Sequence, residues 1–184
     1  GLRVKGVPTS EATAALAREV GVALTTLEEN PTLDLAVDGA DAVDPALGCI
    51  KGLGGALLRE KIVAAACARF VVIVSSDKLV EHLGLGPHVP VEVVRFGWSR
   101  TRKTLEALGA KTTIRGGEST PFVTDGGNLI VDCRFDAKAD PGALAASIKA
   151  LTGVVEHGYF LRMATELIVA GLDGGIELRT PRAG

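Results

Sequence analysis

Residues 70–78 read Phe-Val-Val-Ile-Val-Ser-Ser-Asp-Lys, and this stretch decides the fold. Five consecutive apolar residues, four of them Val or Ile, fit a strand covered on both faces, as in a parallel sheet. The run ends in Ser75, Ser76, Asp77 and Lys78, beyond the carboxyl end of the strand, where α/β sheets hold their ligands. Upstream, LDLAVD (33–38) reads as a second strand that delivers Asp38 at its own carboxyl end. Residues 55–68 read as the intervening helix, apolar on most sides and therefore expected to be largely buried. Cys67 falls on its apolar face as a small core residue. Strand, helix, strand is the α/β pattern.

Working outward, LRVKGV (2–7) forms a further strand. After it, Thr9 or Ser10 caps a helix whose apolar positions include Ala12, Ala15, Leu16 and Val20. Beyond Pro87-His88-Val89-Pro90 the rhythm changes. A strand near 90–95 and a helix near 99–109 precede two strands, PFVT (121–124) and NLIVDCRF (128–135), placed around the turn Asp125-Gly126-Gly127-Asn128. A helix near 141–151 and a strand near 154–158 complete the βαββαβ order of a ferredoxin-like unit. ELIVAG (166–171) then supplies an apolar strand that returns to the first sheet. The fold class is therefore α/β: a Rossmann-like, mostly parallel sheet with an inserted ferredoxin-like α+β domain. Residues 1–83 and 165–184 form the α/β catalytic domain, and 84–164 the insertion. No internal repeat or low-complexity linker interrupts them.

The chain has 184 residues, is 47% apolar and carries a formal charge of −2. That length suffices for a sizeable core, and the composition is that of a globular protein. Cations interspersed with acids give no basic surface for nucleic acid, while small anionic substrates remain compatible. Cys49, Cys67 and Cys133 are odd in number and lack metal spacing, which disfavours a disulfide framework or a zinc site and fits a reducing cytoplasm. The N-terminus has no signal-peptide pattern, and no apolar run approaches membrane-spanning length. His82, His88 and His157 are scattered and read as structural or surface residues. Neither a metal-binding histidine motif nor a nucleophile elbow is present.

The chemistry concentrates in VDGADAVDPALGCIKGLGGALLREK (37–61). The glycines begin like a dinucleotide fingerprint, but Leu57 stands where its last small residue belongs, and no P-loop is present. The loop still opens a helix, whose free N–H groups favour an anion or a developing oxyanion. Glu60, in the expected second turn, differs from an ordinary helical glutamate. Positions 56, 57, 63 and 64 are Ala, Leu, Val and Ala, so no cation lies at helical spacing and partial burial would raise its proton affinity. Asp38 and Asp41 are either turn caps or two carboxylates aimed at one cleft, whereas Asp44 before Pro45 reads as a turn residue. Lys51 and Lys78 stand at loop mouths. Together these groups suffice to move a proton beside a carbonyl.

On these residues the chain resembles type A ribose-5-phosphate isomerases. The matching segments are GVPTS (6–10), DLAVDGAD (34–41), IKGLGGALLREKIVAA (50–65), the SSDK region ending at Lys78 and PVEV (90–93). TDGGNLIVD, GVVEHGYF and the glycine-containing C-terminal hairpin also fit, so the likeness runs along essentially the whole chain. Leu53 stands where many relatives have glycine, and Ala42 where an acid commonly follows GAD.

The resemblance implies interconversion of ribose 5-phosphate and ribulose 5-phosphate through an enediol, in the non-oxidative pentose phosphate pathway, without metal or organic cofactor. It implies Glu60 as the proton-transferring base, Lys51 as the oxyanion stabiliser, and Asp38 as a sugar-binding acid that also assists ring opening. Gly39, Ala40, Asp41, Gly52, Leu53, Gly54 and Lys78 complete the substrate-binding set. A homodimer or homotetramer in the cytoplasm is implied, with no nucleic acid or membrane partner. So is a preceding strand, Gly/Thr/Ser-rich phosphate loop and helix that residues 1–184 do not contain. The alternatives are a non-catalytic sugar-phosphate-binding regulatory module, for which no helix-turn-helix is visible, and an acyl-CoA transferase, against which the DGAD and IKG segments argue.

Overall fold

The computed structural model describes residues 3–181. Strand β1 (Lys5–Gly6) is shorter than LRVKGV suggests, and Leu2 lies outside the described residues. Helix α1 (Glu11–Glu19) is capped by Ser10, which has an extended backbone and whose side-chain oxygen accepts the Thr13 N–H. It leads to β2 (Ala23–Leu24), which pairs in parallel with β1.

The main sheet is built on β3 (Leu33–Asp38), the same residues as the expected strand LDLAVD. Two short strands follow, β4 (Ala42–Val43) and β5 (Cys49–Ile50), paired antiparallel. Helix α2 (Leu57–Ala66) and strand β6 (Cys67–Ser75) complete the crossover, with β6 parallel to β3 in the register Asp38 to Val72. Two expectations change here. The helix starts two residues later than 55, so Glu60 lies in its first turn, and it buries one face through Leu57, Val63 and Ala64 while Ile62 and Ala65 are exposed. Cys67 is not on the helix; it adopts an extended backbone and opens β6. No glycine or proline separates the two elements, so the boundary follows from the pairing of Cys67 with Leu33.

After β6 the chain forms a four-stranded antiparallel sheet. Its elements are β7 (Val89–Val93), α3 (Trp98–Ala107), β8 (Lys111–Ile114), β9 (Leu129–Arg134), α4 (Pro141–Lys149) and β10 (Val154–His157). The spatial order β10-β7-β9-β8 is that of a ferredoxin-like unit. The partner of β9 is corrected: PFVT is not a strand, and only Val123 bridges to Leu129. Lys111–Ile114 pairs with β9 instead, and residues 115–128 form a long connection. The turn is held from within the sheet. Glu92, buried in the fully enclosed β7, accepts hydrogen bonds from Thr124 Oγ1 and Asn128 Nδ2, both at 2.9 Å.

The chain then returns. Strand β11 (Tyr159–Phe160) pairs with β5, and β12 (Glu166–Ala170) lies parallel to β6. Strand β13 (Ile176–Arg179) adds an antiparallel edge. One face of this sheet presents Phe70, Val72, Val74, Leu167 and Val169 to a core completed by Val63, Cys49 and Phe160. The expectation that FVVIV is covered on both faces is met on that face only. On the opposite side Val71 is buried, but Ile73, Leu35 and Val37 are 44%, 47% and 56% exposed, because α2 and the short strands pack on one face only.

Behind α2, Lys61 is enclosed. Its ammonium donates to Glu156 Oε1 at 2.9 Å and to the His157 carbonyl, and lies 4.7 Å from the centre of the Phe160 ring. Burial pushes the Glu156 carboxyl up, but hydrogen bonds from Lys149, the His157 N–H and Lys61 outweigh it and hold the group at about 2. Burial and the Lys61 charge depress His157 to about 4. Its Nδ1 accepts the Tyr159 N–H at 3.3 Å, as a neutral imidazole does. A histidine whose folded value lies below its ordinary one contributes stability above pH of about 6.5, lost as pH falls towards 4. Chemical denaturation from pH 7 to 4 should therefore show a loss to which His157 contributes up to about 3 kcal/mol. His157→Gln should flatten that slope, and an unchanged slope would contradict the assignment.

Candidate active site

The site begins at the end of β3, where the register with β6 sets Asp38 at the carboxyl edge of the sheet. Lys51 follows β5, and its N–H donates to the Gly158 carbonyl at 2.9 Å, which fixes the stem of a side chain that must cross the interior. The residue is only 3% exposed. Its ammonium reaches Asp38 Oδ2 at 2.8 Å, the Gly39 carbonyl at 2.5 Å and Glu60 Oε2 at 3.2 Å, and stands 5.5 Å from the Phe160 ring centre. Three parts of the sequence thus converge on one cation.

Glu60 and Lys51 are an ion pair by distance, yet Glu60 Oε2 is buried and makes no hydrogen bond. The ammonium approaches it off the hydrogen-bonding directions while donating to Asp38 and Gly39. Burial pushes the Glu60 carboxyl above its ordinary value; the Lys51 charge opposes this, and the Asp38 charge reinforces it. The result is a carboxylate with an unsatisfied oxygen and raised proton affinity, as a general base requires.

The glycine loop closes against this cluster. Asp41 Oδ2 accepts the Leu53 N–H at 3.0 Å, and Gly55 donates to the Gly52 carbonyl at 3.0 Å. Gly52 and Gly55 have φ of 101° and 88°. A Cβ at the first would lie 2.6 Å from Leu57 Cβ, and one at the second 2.6 Å from the Phe122 ring, so both must be glycine. Leu53 and Gly54 are exposed, and Ala56, which precedes α2 as its N-cap, offers no side-chain cap, leaving the first N–H groups of the helix without that partner. Asp38 Oδ1 accepts the Gly39 N–H, and Ala40 packs against the core.

Two adjoining clefts of about 310 and 290 Å³ share Thr9, Thr13, Asp38 and Glu60. The first is also lined by Ser10, Gly54, Phe122 and Asp125, and the second runs along β3 past Leu35 and Val37. A larger cavity of about 640 Å³, between the α1–β2 segment and α2, contains none of the expected site residues. Lys78 is not brought into the cluster. It is half-buried after β6, lines neither cleft, and has its ammonium 3.8 Å from Asp77 Oδ2. Asp44 caps a turn through the Ala46 and Gly48 N–H groups. His82 accepts the Gly84 N–H, and His88 lies 3.2 Å from Asp132. Among the described residues no cluster of His, Cys, Asp or Glu is arranged to hold a metal.

Sequence reasoning missed one wall. Asp125 accepts the Glu11 N–H at 2.9 Å, and Arg59 lies 2.8 Å from Glu11 and 3.6 Å from Asp125. The turn that pins Asp125 also pulls the start of α1 against the cleft. Its Asp-Gly chemistry was legible as a turn, but nothing local marked its partner.

A family model for ribose 5-phosphate isomerase A (phosphoriboisomerase A) matches residues 5–174. The chain is 60% identical over 182 residues to ribose-5-phosphate isomerase A of Roseiflexus sp. (strain RS-1), covering 98% of this chain and 78% of that protein. It is 52% identical to the Synechococcus sp. (strain JA-3-3Ab) protein of the same name, covering 97% and 79%. Among solved structures, ribose 5-phosphate isomerase from Plasmodium falciparum superposes with a TM-score of 0.91 at 36% identity, covering 96% of this chain and 78% of that one. A D-ribose-5-phosphate isomerase in complex with phospho-erythronic acid gives 0.90 at 36% identity, covering 96% and 77%.

The electrostatics of the cluster make one direct prediction. Lys51→Met removes the cation that opposes the burial of Glu60, so the Glu60 carboxyl, followed by carbon-detected NMR, should titrate at higher pH than in the parent. A downward shift or no shift would show that Lys51 does not govern it.

Proposed function

The chain belongs to the ribose 5-phosphate isomerase A family and interconverts ribose 5-phosphate and ribulose 5-phosphate; we propose that Glu60 carries the proton in this reaction. The observation that supports this most is the buried, hydrogen-bond-free Oε2 of Glu60 beside the Lys51 ammonium, at the junction of the two clefts. Neither the family match nor the relatives lend support to a non-catalytic regulatory module.

In the proposed mechanism, Asp38 takes the proton from the anomeric hydroxyl as the C1–O4 bond breaks and returns it to the departing ring oxygen O4, giving the open aldehyde. The Glu60 carboxylate then removes the C2 proton of the aldehyde form. The electron pair from the broken C–H bond forms the C1–C2 double bond, and negative charge develops on O1. Lys51 stabilises that charge, assisted by the glycine-loop N–H groups. The O2 proton then passes to O1, leaving the charge on O2; as the O2 electron pair forms the ketone, the C1–C2 pair takes the proton back from Glu60 at C1. Binding both carbons over one carboxylate makes the transfer effectively intramolecular. Phospho-erythronic acid, held by one similar structure, carries a carboxylate whose two coplanar oxygens resemble those of an enediolate. A site with a fixed cation suits either group.

Asp38, Gly39, Ala40, Asp41, Gly52, Leu53 and Gly54 form the sugar-binding rim in this proposal, with backbone contacts from the glycines and Ala40. Lys78 lies outside both clefts, at the carboxyl edge of β6, so a substrate-binding role for it rests on the resemblance alone. The domain division is 1–83 with 165–184, and 84–164. Assembly is as a homodimer or homotetramer in the cytoplasm, and among the described residues no helix is long and apolar enough to cross a membrane.

Glu60→Gln tests the base directly. Turnover should fall by about a thousandfold with substrate binding retained. Folding stability should hold or rise, because a buried carboxylate becomes a neutral amide. The comparison is made on this chain and on a version extended at its N-terminus to its relatives' length. Parent-like turnover in the variant would exclude Glu60 as the base, and binding without turnover in both parent forms would favour the regulatory reading.

A further inference from the structure

We propose that Arg115, contributed by the ferredoxin-like unit, is a positioning residue for the isomerisation: it sets the direction of the two amides presented by the substrate loop at Leu53 and Gly54. The inference rests on the proposal that Gly52 to Gly54 bind substrate.

Arg115 follows β8, and its side chain is only 15% exposed. Asp132 of β9 grips one edge of the guanidinium, with Nη2 at 2.5 Å from Oδ1 and Nε at 3.1 Å from Oδ2. The remaining nitrogen, Nη1, donates to two successive carbonyls of the loop, Gly52 O at 3.0 Å and Leu53 O at 2.9 Å. The guanidinium also lies 5.9 Å from the Phe122 ring, whose edge packs on Gly55. One charged fork thus joins the sheet of the ferredoxin-like unit to the backbone beside Lys51.

Peptide planarity converts this grip into a direction. In a trans peptide the C=O and the following N–H point opposite ways. Turning the Gly52 carbonyl towards Arg115 therefore turns the Leu53 N–H away, where it meets Asp41 Oδ2 at 3.0 Å. Turning the Leu53 carbonyl towards Arg115 likewise aims the Gly54 N–H away from the guanidinium. Gly54 lines the cleft that contains Asp38 and Glu60, and among the described residues its N–H makes no intramolecular hydrogen bond. Charge on the carbonyl oxygens also polarises these amides and strengthens them as donors.

Without Arg115, the Gly52 carbonyl keeps the Gly55 N–H, whereas the Leu53 carbonyl loses its one charge-assisted bond and has no other hydrogen-bond donor among the described residues. The Leu53–Gly54 peptide is then free to rotate, and a reversed orientation would present a carbonyl to an oxygen-rich substrate. Lysine cannot replace the fork, because a single ammonium does not span a carboxylate and two carbonyls with fixed planar geometry.

The test compares Arg115→Met, Arg115→Lys and Glu60→Gln, with hydrogen exchange of the loop amides as a readout independent of turnover. In both Arg115 variants KM should rise about tenfold with kcat within about threefold of the parent, the scale of losing a charge-assisted bond. Exchange at Leu53 and Gly54 should quicken by about tenfold while α2 and β9 keep their protection. Glu60→Gln should instead lower kcat, so failure of the base assignment is separately visible. If Arg115→Met does not fold, Arg115→Lys decides. Parent-like KM and loop exchange in a folded Arg115 variant would overturn the proposal, as would faster exchange across the whole ferredoxin-like unit.

Discussion

A lysine held only 3% exposed is the constraint around which the rest of this structure is arranged. A cation removed from water is tolerated only when charge and hydrogen-bond acceptors surround it, so Lys51 draws Asp38 and Gly39 from the end of β3 and Glu60 from α2 into one place. The ring of Phe160 supplies a further favourable surface. The arrangement is uneven: Asp38 and the Gly39 carbonyl receive the directed bonds, and Glu60 receives only proximity. Burial raises the affinity of the Glu60 carboxyl for a proton, the Lys51 charge opposes this and the Asp38 charge reinforces it, and the uneven division leaves one carboxylate oxygen without a directed hydrogen bond. In a merely structural ion pair this would be a defect, and beside a cleft it suits the base proposed for Glu60.

The ferredoxin-like unit takes part in shaping that cleft. Its buried Glu92 fixes the turn that places Asp125 against α1 and Arg59. Its Arg115 holds the carbonyls of the glycine loop, and β11, immediately after it, pairs with β5 beside Lys51. On the far side of α2, Lys61 is bonded to Glu156 and to the His157 carbonyl, tying the helix that carries Glu60 to β10. Charge-assisted bonds recur where segments distant in sequence meet. In partly buried settings they supply direction that apolar packing alone does not.

Much of the fold was legible because its signals are local. The apolar stretch at 33–38, the β-branched run at 70–74 and the cap at Thr9 or Ser10 each act within a few residues, and the corresponding elements formed there. Errors fell where a boundary or a pairing depends on distant partners. The Asp-Gly turn correctly marked a reversal, but PFVT lost its strand to KTTI because Thr112 and Ile114 align with Cys133 and Val131. Cys67 joined β6 because Leu33 pairs with it, with no breaker in the sequence to announce the change. In both cases a nonlocal backbone pairing overrode local pattern.

By itself the sequence determined the chemistry available: two acids after a strand, a lysine, a glycine loop and a glutamate without a helical counter-ion, in an α/β framework. Those are properties of residue type and spacing, and spacing controls which groups share one strand end or one helix face. Tertiary structure alone decided that Lys51 would favour Asp38 over Glu60, that Lys78 would stand apart from both clefts, and that Arg115 and Asp125 would reach the site from more than sixty residues away. The physical reason is that proton affinity and hydrogen-bond direction depend on burial and angle. Both arise only when segments remote in the chain are packed against one another.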